Sequence, residues 1–358
     1  MMRKYFWFLL LSLFVFANAI FAQANIKNNK QFCCLDNYRI PMDKNGAVIG
    51  KILFPDLTEK SEIKLVTDTA KIFTINKKGY LSLKKNVALK SCTPGFCYAI
   101  TLKVKEKLID FELVKDEFIH NKVIAHRGAW KSNNVAQNSL RSLQNAITIG
   151  CEGSEFDVWL SSDNVIILSH DSTIGGLPVE KETAEKLKNV VLSTGDKVPT
   201  LEEYLTEVKR QNKTALFLEI KSSEMSAQRT LELTDSIVTM VHRMKAQGWV
   251  QYISFNYDAL KHIYELDPGA KTAYLSGDEV YKTVDEVKGD NISGIDYSSY
   301  SYRSNANLNK EAHALGLSTN VWTIDSEDEL KFYLEKELDY ITTNEPEKTI
   351  GYYKNKCK

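Results

Sequence analysis

Glu155 and Asp157 stand two residues apart inside the apolar run Gly153-Ser-Glu-Phe-Asp-Val-Trp. On an extended strand, residues i and i+2 share a face, so both acids point the same way. A third acid, Glu219, lies near the end of another apolar run, Ala215-Leu-Phe-Leu-Glu-Ile. Taken singly, each carboxylate reads as a surface ion-pair partner. Their neighbours Phe156, Val158, Leu218 and Ile220 are core-strand residues, which weakens that reading. Three carboxylates facing one point repel unless positive charge sits among them. An all-oxygen donor set suits one hard divalent cation, Mg²⁺ or Ca²⁺.

Two histidines have the company that acid/base chemistry needs. His126 follows the apolar run Val123-Ile-Ala and precedes Arg127-Gly128. His170 follows Asp157 by a connection too short for a parallel crossover. A hairpin turning at Asp163-Asn164 fits that length, and symmetric counting puts His170 opposite Asp157. His120 lies in a linker, and His242, His262 and His313 fall in expected helices, where a packed or surface role is the simpler reading.

Something must carry these residues to one place. From Lys122 onward, apolar strand runs alternate with amphipathic helical stretches: Val123–Arg127, Gly153–Trp159, Ala215–Ile220, Val250–Phe255, Thr272–Leu275, Ser293–Tyr297, Thr319–Thr323 and Tyr340–Thr343. Such alternation predicts a parallel sheet covered by helices, and eight strands fit a TIM barrel. The alternative is an open doubly wound sheet, which would carry a glycine-rich first turn; none follows the first strand. In a barrel the site forms at the C-terminal strand ends. Those ends hold His126-Arg127-Gly128, Glu155 with Asp157, Glu219-Ile220-Lys221 and Trp322-Thr323.

The rest of the chain is different. Arg3 and Lys4, an apolar run to Phe16 and then Ala17, Ala19 and Ala22 describe a secretory leader over 1–23. An uncleaved anchor is the alternative. Removal of the leader leaves an exported protein with no membrane span. Residues 24–118 carry short strand runs between polar turns and predict a small all-β sandwich ahead of the barrel, which takes 119–358. Export permits disulfides. A Cys92–Cys97 bridge fits the intervening turn, Cys33 or Cys34 could reach either partner, and Cys151 reads as a core thiol. Basic and acidic residues balance at 46 each, which argues against a nucleic-acid binder.

The stretch IAHRGAWKSNNVAQNSLRSLQNAITIGCEGSEFDVWLSSDNVIILSHD, followed in order by VPTLEEYL, LEIK, VWTID and DYITTNEP, resembles the glycerophosphodiester phosphodiesterase family over about residues 122–347. The resemblance implies a TIM-barrel enzyme that cleaves small glycerophosphodiesters to an alcohol and glycerol 3-phosphate. It implies His126 and His170 as the acid/base pair and Glu155, Asp157 and Glu219 as metal ligands. Arg127 and Lys221 match phosphate-binding positions, and Trp322 lies at a substrate-binding one. Where many members read P-E-N-T, this chain reads Ala136-Gln137-Asn138-Ser139, so no charge comes from Gln137. The region before the barrel resembles a cadherin-like domain, without acidic calcium clusters. Two other functions stay open. A phospholipase-like or sphingomyelinase-D-like enzyme would want an apolar rim, and a non-catalytic binding protein would have lost a histidine or an acid.

Overall fold

The computed structural model describes residues 31–55, 57, 61–277 and 282–356. The leader expected at 1–23 and Cys357 lie outside them.

The N-terminal part forms two four-stranded sheets. One orders β1 (Cys34–Leu35), β3 (Val48–Leu53), β6 (Tyr80–Leu83) and β5 (Phe73–Ile75); the other orders β2 (Arg39–Ile40), β8 (Lys107–Lys115), β7 (Cys97–Val104) and β4 (Ile63–Asp68). Alternate residues of both, among them Ile52, Phe73 and Leu81 from one and Ile100, Leu102 and Phe111 from the other, share one buried core. Two sheets facing each other over inward-pointing residues make a sandwich.

Eight parallel strands then close on themselves: β9 (Val123–Ala125), β10 (Gly153–Leu160), β14 (Ala215–Ile220), β15 (Val250–Ser254), β16 (Thr272–Ser276), β17 (Gly294–Ser298), β18 (Ser318–Trp322) and β19 (Tyr340–Thr343). Closure is made by Thr342 abreast of Ile124 and by Gly153 abreast of the same residue on its other side. This is a TIM barrel preceded by all-β sheets. Strands covered on both faces read as continuous apolar runs. Here the polar interruptions matter, because Glu155, Asp157, Glu219, Asp296 and Asn320 are all buried within barrel strands.

Helix ends follow local chemistry. In the helix Leu201–Val208, Thr200 and Glu203 form a reciprocal capping box, which explains the spacing in VPTLEEYL. The Tyr204 hydroxyl of that helix donates to Ser139 O at 3.2 Å, tying it to the cap of the helix Leu140–Ile149.

Between β10 and β14 the chain makes β11 (Ile166–Leu168), antiparallel to β10, so the expected hairpin exists, and then the short antiparallel pair β12 (Thr173–Ile174) and β13 (Leu177–Pro178). Its register differs by one residue. Val158 faces Leu168, and Ser169 N–H donates to Asp157 O at 3.1 Å, so Ser169 and not His170 stands opposite Asp157. The loop between Ser161 and Val165 has an odd number of residues, with Asn164 left-handed at φ 61°. A three-residue hairpin loop ending in a left-handed residue is a common solution. The first barrel strand also stops earlier than expected, at Ala125, because Arg127 and Gly128 both have positive φ. The sandwich packs on the N-terminal end of the barrel. Val114 and Phe118 belong to the barrel's core cluster, Arg39 Nε donates to Gly248 O at 2.8 Å, and Phe32 N–H donates to Leu266 O at 2.7 Å.

Cys33, Cys34, Cys92, Cys97 and Cys151 are all free thiols, so the expected Cys92–Cys97 bridge is not made. Cys34 instead hydrogen-bonds Asp267 of the barrel end, a place set by the seam between the two parts and not by the turn. His242, read from sequence as a packed or surface residue, pairs through Nε2 with Asp267 at 2.7 Å and stacks on Phe32 at 4.0 Å. It works at that seam, far along the barrel axis from the strand ends.

Candidate active site

The turn after β9 is built around one glycine. A side chain at Gly128 would meet Ser142 Oγ at 2.4 Å, and its φ of +81° strains any other residue. The turn bends the chain at Arg127, itself left-handed, and points its main-chain N–H into the lumen. That N–H donates to Glu155 Oε2 at 2.8 Å. A left-handed non-glycine costs about 1 kcal/mol; here it orients a carboxylate.

One oxygen from each of Glu155, Asp157 and Glu219 lies within 4.8 Å of the others, and all three residues are buried. Glu155 Oε1 has no hydrogen-bond partner. Asp157 Oδ2 accepts from Asn138 Nδ2 at 2.8 Å, and Asn138 Oδ1 accepts in return from Asp157 N–H at 3.1 Å. Lys221 Nζ sits 2.7 Å from Asp157 Oδ1 and 2.6 Å from Glu219 Oε1. Burial drives Glu155 well above the ordinary carboxylate range, and the Asp157 and Glu219 charges add to it. Glu219 is pushed up to about 8 by burial and then by Asp157. Burial also works against Asp157, but the Lys221 ammonium and the Asn138 hydrogen bond hold it below its usual value. The cluster is therefore short of positive charge. A buried orphan oxygen beside three convergent carboxylates fits a hard cation, with Lys221 supplying part of that charge.

The imidazoles stand at the mouth of this cluster. His126 Nε2 is 3.9 Å from Glu155 Oε2, and its Nδ1 pairs with Asn344 Oδ1 at 2.9 Å. Burial, with the Arg127 charge, lowers His126 to about 4. His170 Nδ1 pairs with Asp171 Oδ1 at 2.7 Å. Arg127 Nη1 donates to Gln137 Oε1 at 3.0 Å, while its buried Nε makes no hydrogen bond and faces Asp157 Oδ2 at 3.9 Å. A cavity of about 180 Å³ joins them, lined by His126, Arg127, Glu155, His170, Glu219, Lys221, Asp296 and Trp322 among others. Seven of the eight sequence candidates line that cavity; the eighth, Asp157, is joined to it by Lys221.

Four participants were not singled out from sequence. Asn138 and Asn344 orient an acid and an imidazole, Asp171 holds His170, and Asp296 lines the cavity. Only Asp171 carried a signal, its adjacency to His170. The chemistry available here is displacement at an anionic phosphorus or similar centre: cationic side chains to neutralise charge, and two imidazoles to move protons.

Comparison with known proteins points the same way. Residues 126–348 match the Glycerophosphoryl diester phosphodiesterase family. A glycerophosphodiester phosphodiesterase of Caldanaerobacter subterraneus is 24% identical over 243 residues, covering 64% of this chain and 96% of the relative. The crystal structure of a glycerophosphodiester phosphodiesterase from Parabacteroides distasonis aligns at TM-score 0.64 and 39% identity, covering 66% of this chain and 98% of that one. An Oleispira antarctica phosphodiesterase, solved in complex with the product sn-glycerol-3-phosphate, shares the fold at TM-score 0.57 and 24% identity, covering 64% of this chain and 95% of that one.

Proposed function

The chain belongs to the Glycerophosphoryl diester phosphodiesterase family and is a phosphoric diester hydrolase acting on glycerophosphodiesters, and from that premise we propose a metal-assisted mechanism with two histidines. The observation that carries it is the convergence of Glu155, Asp157 and Glu219 beside two imidazoles on one cavity. Glu155, Asp157 and Glu219 would hold a single Mg²⁺ or Ca²⁺. When bound, that ion supplies charge neutralisation for the phosphate and polarises its oxygens. Arg127 and Lys221, whose side chains border the cavity, bind the phosphate's free oxygens.

The proton path follows from the hydrogen bonds. Asn344 Oδ1 accepts from Nδ1–H of His126, which leaves Nε2 with a lone pair in a ring held neutral. His126 takes the proton of the glycerol 2-hydroxyl as that oxygen attacks phosphorus. His170, its Nδ1–H held by the Asp171 carboxylate, gives a proton to the leaving alcohol. Water then opens the cyclic phosphate with the roles reversed, and glycerol 3-phosphate leaves. Direct attack by water would use the same pair. Export of the enzyme is part of the proposal and rests on the leader-like residues 1–23. Among the described residues no helix is long and apolar enough to cross a membrane.

A panel of glycerophosphocholine, glycerophosphoethanolamine, glycerophosphoinositol and lysophosphatidylcholine, each assayed with chelator and then with added Mg²⁺ or Ca²⁺, tests the reading. The water-soluble diesters should be cleaved only with metal. Full activity after chelation, or cleavage of the lysolipid alone, would overturn it.

A further inference from the structure

One acid in the lumen has no part in this chemistry. Asp296 lies on β17, three strands beyond β14 in the sheet order and so across the barrel from the acid cluster. It borders the same cavity as His126, His170 and Lys221. It is buried, at 2% exposure, and its Oδ1 has no hydrogen-bond partner. Asn320 stands directly abreast on β18 and donates Nδ2 to Thr342 Oγ1 at 2.8 Å. Burial pushes Asp296 up to about 7 against the pull of Asn320. Around it the wall is largely apolar: Ile253, Phe255, Leu275 and Trp322. The Trp322 indole N–H is already committed to Asp296 O at 2.9 Å, which fixes the ring and leaves it no donor for a ligand.

A buried acceptor left without a donor is costly, and such an atom facing a cavity is a place for a ligand's hydroxyl. The substrate geometry says which one. The phosphate is held on the β9, β10 and β14 side, where Arg127, Lys221 and both histidines stand. The attacking 2-hydroxyl must stay beside His126. The leaving alcohol varies in size and must point to the open mouth. The one remaining arm of the glycerol is the terminal CH₂OH, which extends across the lumen between Phe255, Leu275 and Trp322 toward β17.

We propose that Asp296 Oδ1 accepts a hydrogen bond from the terminal hydroxyl of the substrate's glycerol, so that the far wall of the barrel selects glycerol esters over esters of other 1,2-diols. The proposal rests on the glycerophosphodiester reading above. Asp296 is a specificity residue in it, because the bond forms in ground state and transition state alike, three carbons from the reacting phosphorus.

The test compares two substrates that differ only at that arm: glycerophosphocholine, and 2-hydroxypropyl phosphocholine, which keeps the attacking 2-hydroxyl and lacks the terminal one. Wild type should favour the first, since a site that hydrogen-bonds a hydroxyl rejects the analogue lacking it. Asp296→Leu should lower kcat/KM on glycerophosphocholine about 10- to 100-fold, because the terminal hydroxyl then meets an apolar wall with no acceptor, and leave the analogue within about threefold. Asp296→Asn, which keeps an acceptor oxygen, should fall between. Equal losses on both substrates would overturn the proposal. So would a loss that tracks choline against ethanolamine head groups, since that would put the leaving alcohol against Asp296. If Asp296→Leu does not fold, calorimetric binding to wild type and Asp296→Asn of glycerol 3-phosphate against 2-hydroxypropyl phosphate gives the same comparison; equal affinities in wild type would overturn it. Wild-type protein inert toward every glycerophosphodiester would instead sink the functional reading beneath it.

Discussion

Asp296→Asn should make the barrel more stable at neutral pH and leave it almost unchanged in mild acid. The carboxyl sits at about 7 in the folded chain against an ordinary 3.8, because burial disfavours its charged form. At low pH both folded and unfolded chains hold the proton, and the acid costs nothing. Above the ordinary value the unfolded chain releases its proton while the folded chain keeps it, so stability falls by about 1.4 kcal/mol per pH unit. The fall ends near pH 7, where the folded carboxyl also ionises. The whole span amounts to about 4 kcal/mol as an upper figure, and about half of that is expected once lumen water screens the charge. An amide does not titrate, so the gap between variant and wild type should open from about 0.5 kcal/mol at pH 4.5 to roughly 2 kcal/mol at pH 7.5, a difference that moves the urea midpoint by about 1 M at the upper end. Glu155, Glu219 and His126 titrate in both proteins and cancel in the difference. Outside the leader-like residues 1–23, the tryptophans are Trp130, Trp159, Trp249 and Trp322, all in the barrel, so intrinsic fluorescence reports its unfolding and not that of the sandwich. The measurement is a set of urea titrations in chelator from pH 4.5 to 8. A gap that stays constant across that range would refute the assignment of a raised pKa to Asp296.

Two further outcomes are expected. His126→Ala and His170→Ala should each lose about 10²- to 10⁴-fold in kcat with little change in melting temperature, while His313→Ala, whose imidazole pairs with Asp339 outside the site, should retain full rate; equal rates in His170→Ala and His313→Ala would remove His170 from the mechanism. A protein truncated to begin at Lys122 loses Val114 and Phe118 from the barrel core, and at about 1.5–3 kcal/mol per buried apolar side chain it should be less stable by roughly 5 kcal/mol; unchanged barrel stability in urea would mean that the seam contributes nothing.

Much of the site was legible because its signals are local. Glu155 and Asp157 share a face through the two-residue period of a strand, which holds wherever the strand lies. The strand and helix alternation after Lys122 announced the barrel, and a barrel brings its strand ends to one rim. The short connection from Asp157 to Ser169 demanded a hairpin, but not its register: that depended on whether Asn164 would adopt a left-handed conformation and make the loop odd. Cys92 and Cys97 looked like a bridge because turn length is visible in sequence, while side-chain direction is not.

What no local pattern could supply are contacts made across the barrel. The Asn344 side chain orients His126 from 218 residues away, and Asn138 steadies Asp157 from the neighbouring loop. Asp296 sits in Gly294-Ile-Asp-Tyr-Ser, a stretch with nothing to separate it from any strand that has one polar residue. The sequence by itself determined the strand and helix periods, the barrel and the paired carboxylates, since each depends on the chain's repeat and the types of adjacent residues. Only the tertiary structure decided which main-chain N–H meets Glu155, that Lys221 lies between two acids, and that Asp296 faces them across one cavity. Closing the sheet brings eight strands together around a common lumen, and distance across that lumen bears no relation to distance along the chain.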